Sequence, residues 1–138
     1  MKFTAILDGI ETILKADNDT KDVIKEYRRF IVEHGIRATP FCLIRKVHTV
    51  YRERNSKGTI WDGEIFVDFL GQAYEIQSRY LEMIETLDKL QDNAYDAFMA
   101  NPLLADSVRT SKVSMSENIN IDEYFGFEIK IAFTVMTT

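Results

Sequence analysis

The most regular alternation of apolar and polar residues lies at the end of the chain. Between Phe125 and Val135 every odd position is apolar, while the even positions hold Gly, Glu, Lys, Ala and Thr. Successive side chains of a strand point to opposite faces, so this pattern predicts a strand with one apolar and one mostly polar face. Such a strand is typical of a sheet whose one side packs on the core while the other meets water or a partner.

Three further stretches have helical periodicity. Apolar residues recur at spacings of three and four over residues 2–16, from Val23 to Ile31, and over residues 72–100. This spacing predicts three amphipathic helices. The second helix is predicted to begin after the polar run Asp17–Thr20 and to end at Gly35, and Pro102 follows the third.

Segments rich in aromatic and β-branched residues predict the remaining strands. Phe41–Tyr51 and Thr59–Leu70 flank the polar segment Arg52–Gly58, which predicts a long antiparallel hairpin with a projecting loop. Another strand is predicted near Val108–Glu117, with a turn at Asn118–Glu123 before the final strand.

These elements predict one α+β domain over residues 1–138. We expect a four-stranded, mostly antiparallel sheet with helices packed on one face, in the order ααββαββ. The length and a hydrophobic fraction of 46% suit a single self-sufficient core. With one cysteine, no signal peptide and no apolar run of about 20 residues, we expect a soluble protein assembled in a reducing compartment.

Charge is unevenly distributed along the chain. The segment from Lys25 to Lys57 contains nine basic and three acidic residues, so it carries +6, which leaves −11 for the remainder of a chain whose net charge is −5. Aromatic residues interleave with this basic segment, so it could contact nucleic acid. The overall acidity argues against a dedicated nucleic-acid binder, but it is compatible with a channel or ring that has a locally basic face.

Two groups of residues are candidates for metal chemistry. Asp62, Glu64 and Asp68 are predicted on one strand face, where three carboxylates could hold a divalent cation. Glu128-x-Lys130 resembles a nuclease arrangement in which the glutamate binds metal and the lysine polarises water or phosphate. The simpler interpretation is a polar sheet face whose charges form ion pairs between strands.

A third candidate is a thiol pair. Cys42 and His48 have the same strand parity and could share a face, but the sequence offers neither an orienting group nor an oxyanion site. The interpretation we prefer is that Cys42 is a small buried apolar residue. We predict no catalytic residue, metal or cofactor.

The chain combines a predicted N-terminal helix ILDGIETILKA, a hairpin that begins at Pro40, a helix that ends AFMANPLLADSV, and closing strands through FGFEIKIAFTV. This order of elements resembles that of tail terminator (tail completion, head–tail joining) proteins of bacteriophages and prophages. It implies a non-enzymatic hexameric ring that caps the tail tube and joins it to the head connector protein. DNA would pass through the ring without specific binding, and the protein would be located in the virion after assembly in the bacterial cytoplasm.

The resemblance also implies roles for particular residues. A subunit or partner interface would include six residues of the hairpin loop and the final strand: Arg52, Arg54, Asn55, Lys57, Glu128 and Lys130. An acidic helix face with Glu82, Glu85 and Asp92 would line the lumen. Two alternatives remain open: a stand-alone binding or regulatory module that dimerises through its open sheet face, and, with less support, a metal-dependent nuclease.

Overall fold

A computed structural model describes residues 3–21, 23–24, 26–29, 40–72, 77–121 and 124–138. The described residues form three helices and five strands. In chain order they are α1 (Thr4–Ala16), α2 (Asn18–Lys21), β1 (Glu26–Arg29), β2 (Phe41–Asn55), β3 (Gly58–Gln72), α3 (Gln77–Ala100), β4 (Thr110–Ile121) and β5 (Tyr124–Thr137).

The five strands form one mixed sheet in the order β1-β2-β3-β5-β4. β1 runs parallel to β2, and the other three pairings are antiparallel. The prediction of a four-stranded sheet in the order ααββαββ is therefore wrong, because the described residues contain a fifth strand and follow a different order.

The extra strand β1 lies within the predicted second helix. Among the described residues of that region only Asn18–Lys21, before the apolar stripe, is helical, and Tyr27 and Arg29 in β1 pair with Cys42 and Ile44 in β2. Arg29 also donates hydrogen bonds to carboxylates of α1, at 2.9 Å to Glu11. Pairing with a buried strand and ion pairs with α1 thus outweigh the local helical periodicity. Residues 30–35, including the predicted cap Gly35, lie outside the described residues.

The hairpin of β2 and β3 is confirmed, but the loop between its strands is much shorter than predicted. The strands have 15 residues each and continue through most of Arg52–Gly58, leaving Ser56 and Lys57 as the turn. The Asn55 side-chain oxygen accepts hydrogen bonds from the backbone N–H groups of Lys57 and Gly58. Gly58 has φ +151°, a conformation that residues with a Cβ rarely adopt.

The alternation predicted for the final strand is confirmed in β5. Its odd-numbered residues face α1 and α3, together with Ile65, Val67 and Phe69 of β3, and we call this side of the sheet the helix face. Leu87, Leu90, Ala94 and Phe98 of α3 and five apolar residues of α1 complete the core on this side: Ile6, Leu7, Ile10, Ile13 and Leu14. The first and third predicted helices are thereby confirmed, although residues 73–76 lie outside the described part of the chain.

The connection after α3 has an unusual backbone. Leu104, Ala105 and Asp106 have φ of 48°, 57° and 63°, the left-handed region that costs a residue with a Cβ about 1–2 kcal/mol. Leu104 is fully buried, and its carbonyl lies against Gly9 of α1. A Cβ at position 9 would be 2.2 Å from that oxygen. The glycine therefore allows α1 and this turn to approach each other closely.

We predict that Gly9→Ala destabilises the protein. In an exposed helix this change stabilises by about 1 kcal/mol, but here the new methyl group overlaps the Leu104 carbonyl, so we expect a loss of about 1–3 kcal/mol. Urea unfolding measures the difference, with exposed Thr12→Ala in the same helix as the control that should change little. Higher stability of Gly9→Ala than of the parent would contradict the close approach.

Candidate functional site

The side of the sheet opposite the helix face carries a series of ion pairs, and we call it the charged face. Each of three acidic residues on β3 contacts a basic residue of a neighbouring strand. Asp62 accepts from Arg52 of β2 at 2.8 Å, and Glu64 lies 3.4 Å from Lys130 of β5. Asp68 accepts from Arg45 of β2 at 2.7 Å. The simpler interpretation, in which ion pairs between strands neutralise the acidic residues, agrees with these contacts.

Arg45 bridges two carboxyl groups that lie side by side. Asp68 is directly opposite Glu128 in the β3–β5 ladder, and a second nitrogen of Arg45 is 2.8 Å from the Glu128 carboxylate. The guanidinium also lies over the Phe66 ring, 5.5 Å from its centre. The Asp68 side chain is completely buried, whereas that of Arg45 is 32% exposed. The Arg45 guanidinium thus forms ion pairs with two buried carboxyl groups.

This arrangement changes the protonation of Asp68. Burial raises the pKa of Asp68 to about 8, and hydrogen bonding to Glu128 adds to the rise, while Arg45 opposes it. The Asp68 Oδ1 atom is buried and accepts no hydrogen bond from the described residues. With its pKa at about 8, Asp68 keeps its proton at neutral pH and can donate it in a hydrogen bond to the adjacent Glu128 carboxylate.

The cluster of Arg45, Asp68 and Glu128 bears directly on the alternative that the protein is a metal-dependent nuclease. A nuclease site of this kind also needs an aspartate on a neighbouring strand, and the aspartate beside Glu128 is Asp68, since Asp62 pairs with Arg52. However, the Arg45 guanidinium donates to both carboxyl groups and therefore engages the oxygens that a metal ion would have to bind. Within the part of the chain that the structure describes, no three His, Cys, Asp or Glu side chains come together as metal ligands.

The structure separates the proposed thiol pair. Cys42 is buried on the helix face opposite Phe69, and burial raises the pKa of its thiol well above the usual value. A bulge between Lys46 and His48 inserts one residue, so His48 faces the opposite side and pairs with Glu64. The expectation of a shared face is therefore wrong, because the residue inserted at the bulge reverses which positions of the strand face each side of the sheet.

The charged face has two unlike halves. Next to Asp68 lies a second buried apolar cluster of Phe41, Leu43, Leu70 and Tyr124. Toward the hairpin turn the sheet instead forms an open groove of about 540 Å³, lined among others by His48, Val50 and Lys112. The polar face predicted from the alternation does not include this buried half, although the apolar even positions Leu70 and Tyr124 were the available signal.

The residues predicted to form an interface lie in three settings. Arg54, Asn55 and Lys57 are exposed at the hairpin end, while Arg52 is exposed but paired with Asp62. Lys130 is half-exposed beside Glu64. Glu128 is buried beneath Arg45, so the expectation that its side chain is exposed on the sheet surface is wrong.

The acidic side chains of α3 lie on its outer surface. Glu82, Glu85 and Asp92 are exposed, and among the described residues none of them forms an ion pair. The core-facing side of α3 is instead tied to the sheet, where buried Gln91 donates to the backbone carbonyl of Glu128 at 2.8 Å.

Comparison of the chain with models of protein families and with curated proteins finds no match. The resemblance to tail terminator proteins therefore stays a prediction. None of the helices among the described residues is long and apolar enough to cross a membrane.

We predict that stability falls as the pH rises from about 4 to about 8. The folded state holds a proton on Asp68 that the unfolded chain, with an aspartate pKa of about 3.9, has released. This contribution is complete below the unfolded pKa and is lost as the pH passes the folded one. Asp68→Asn keeps this side chain uncharged at every pH. Between pH 5 and 9 the free energy of unfolding of this variant, measured in urea, should therefore change less than that of the parent, by on the order of a few kcal/mol.

Asp62→Asn is the matched control. Hydrogen bonds from Arg52 lower the pKa of Asp62, so its contribution is present above the unfolded pKa and disappears only in acid. Between pH 5 and 9 the free energy of unfolding of Asp62→Asn should change with pH as that of the parent does. If the free energy of unfolding of Asp68→Asn also changed as much as that of the parent, the buried proton on Asp68 would be contradicted.

Proposed function

We propose that this chain is a non-enzymatic assembly subunit of a bacteriophage or prophage, which forms a ring that caps the tail tube and joins it to the head connector. The elements on which the resemblance rests support this proposal. α1 comes first, β2 begins directly after Pro40, α3 ends before the segment PLLADSV, and β5 contains the closing sequence.

The observation that carries the proposal is the shape of the β2–β3 hairpin. All residues from Tyr51 to Lys57 are exposed, and β4 stops pairing with β5 at Thr110, short of the hairpin end. The hairpin thus extends beyond β4, while β5 flanks it as far as Thr137. Its exposed side, which includes Val50 and Tyr51, is available to a neighbouring subunit, the tube or the connector. An exposed strand surface of this kind suits assembly contacts better than a concave reaction site does.

The edges of the sheet support a ring. Among the described residues, β1 and β4 each pair with a strand on one side only. An edge strand offers unpaired backbone groups to another chain. Two different edges on one subunit suit a head-to-tail contact, which closes into a ring when the rotation between subunits permits.

The charge of α3 supports its proposed position at the lumen. Exposed Glu82, Glu85 and Asp92 would repel the phosphate backbone, so DNA could pass without adhering to this helix. The groups that first suggested catalysis are engaged elsewhere: Asp62, Glu64, Asp68 and Glu128 in ion pairs, and Cys42 in the core.

We predict that the chain assembles into a hexamer at high concentration and that an edge substitution prevents it. Met115 on β4 is 45% exposed, and Met115→Lys places a charge where a neighbouring strand would pair. Native mass spectrometry should show the hexamer for the parent and mainly monomer for this variant. Leu81→Lys on α3, where the leucine is 50% exposed, is the matched control and should keep the hexamer.

A dimer that persists at every concentration would contradict the ring. That result would favour the homodimeric module, with contact through the open half of the charged face.

A further inference from the structure

We propose that the hairpin end carries a sequence-independent site for the phosphate backbone of DNA. The site is a cleft of about 490 Å³ lined by Asn55, Ser56, Lys57, Arg109 and Met136, which we call the tip cleft. The physiological presence of DNA at this site rests on the proposed function, but binding itself is a property of the isolated chain.

The position of the tip cleft follows from the different lengths of the strands. β5 continues to Thr137, which pairs with Thr59, whereas β4 begins only at Thr110. Arg109 therefore lies beside the last residues of β5, and its backbone N–H donates to the Thr134 carbonyl at 2.8 Å. Lys57 is held from the other side by the hydrogen bond from its N–H to Asn55. Both backbones are fixed while both side chains are exposed.

Two cations line the tip cleft, Lys57 and Arg109, and a third, Arg54, precedes the lining residue Asn55. Arg54, Lys57 and Arg109 form no ion pair with any carboxylate of the described residues. Glu53 is exposed on the same hairpin and pairs with none of them. By contrast, the nearby Arg52 is neutralised by Asp62. Three cations thus lie together at the end of the β2–β3 hairpin, although the whole chain has a net charge of −5.

The chemistry around these cations favours phosphate over an acidic protein surface. Protein interfaces are built around an apolar or aromatic centre and are depleted in lysine. The tip cleft contains one apolar residue, Met136, and otherwise hydroxyl, amide and cationic groups. Nucleic-acid interfaces are polar and positive, and their affinity comes largely from lysine and arginine contacts to phosphates.

The test is DNA binding by the folded chain, measured by fluorescence anisotropy with two labelled 20-base-pair duplexes of unrelated sequence. The tip variant combines Arg54→Gln, Lys57→Gln and Arg109→Gln. The control combines Lys21→Gln, Lys89→Gln and Lys112→Gln, three exposed lysines on α2, α3 and β4 that form no ion pair with a carboxylate of the described residues. Both variants change the net charge equally, so any difference between them reports position rather than total charge.

We expect the tip variant to bind both duplexes at least about tenfold more weakly than the parent, and the control to stay within about threefold. The slope of log affinity against log salt should become shallower by up to about 2.7 in the tip variant, since each lost phosphate contact removes about 0.9. Polyglutamate should compete much less effectively than unlabelled duplex.

Equal losses in the two variants, or no binding by the parent at low salt, would overturn the proposal. Competition by polyglutamate as effective as that by DNA would also overturn it and indicate an acidic protein as the partner. A hexamer that does not bind DNA contradicts only the tip cleft, whereas DNA binding by a chain that never assembles contradicts only the ring.

Discussion

The unbroken register between β3 and β5 is the constraint on which the rest of the structure depends. Fourteen consecutive pairs join the two strands, from Thr59 opposite Thr137 to Gln72 opposite Tyr124. A slip of one residue would turn every side chain of one strand to the other face. The register therefore determines both the composition of the core and the pairing of charges on the opposite side.

The same register explains why residues that suggest chemistry serve the structure. It places Asp68 beside Glu128 and Glu64 near Lys130, and the adjacent β2 supplies Arg45 and Arg52. Breaking a buried pair leaves an uncompensated charge, so these residues constrain one another. Among the described residues, the surfaces available to partners include the hairpin end and the outer surface of α3. These two surfaces have opposite charge, which agrees with the proposal that the chain binds DNA at one place and repels it at another.

The sequence allowed the prediction of those elements whose periodicity agrees with their tertiary environment. The alternation from Phe125 to Val135, the hairpin and the long helix before Pro102 all satisfy this condition. Prediction was wrong for Tyr27 and Arg29, because contacts with β2 and α1 decide their conformation. The helical spacing around them carried no information about those distant partners.

The candidate site was harder to predict because pairing between strands is not visible in one sequence. Asp68 interrupts an apolar run from Ile65 to Leu70, and this was the available signal that it is buried and has a partner. The identity of that partner depends on the order of β3 and β5 in the sheet. His48 was assigned to the wrong face because the bulge before it leaves no reliable pattern in the sequence.

The most direct test of this account is the titration of the Asp68 and Glu128 carboxyl carbons by ¹³C NMR. The register and burial predict that the Asp68 carboxyl retains its proton through neutral pH and titrates near pH 8. An Asp68 carboxyl that titrates near pH 4, the ordinary range for exposed acids, would contradict the buried pair.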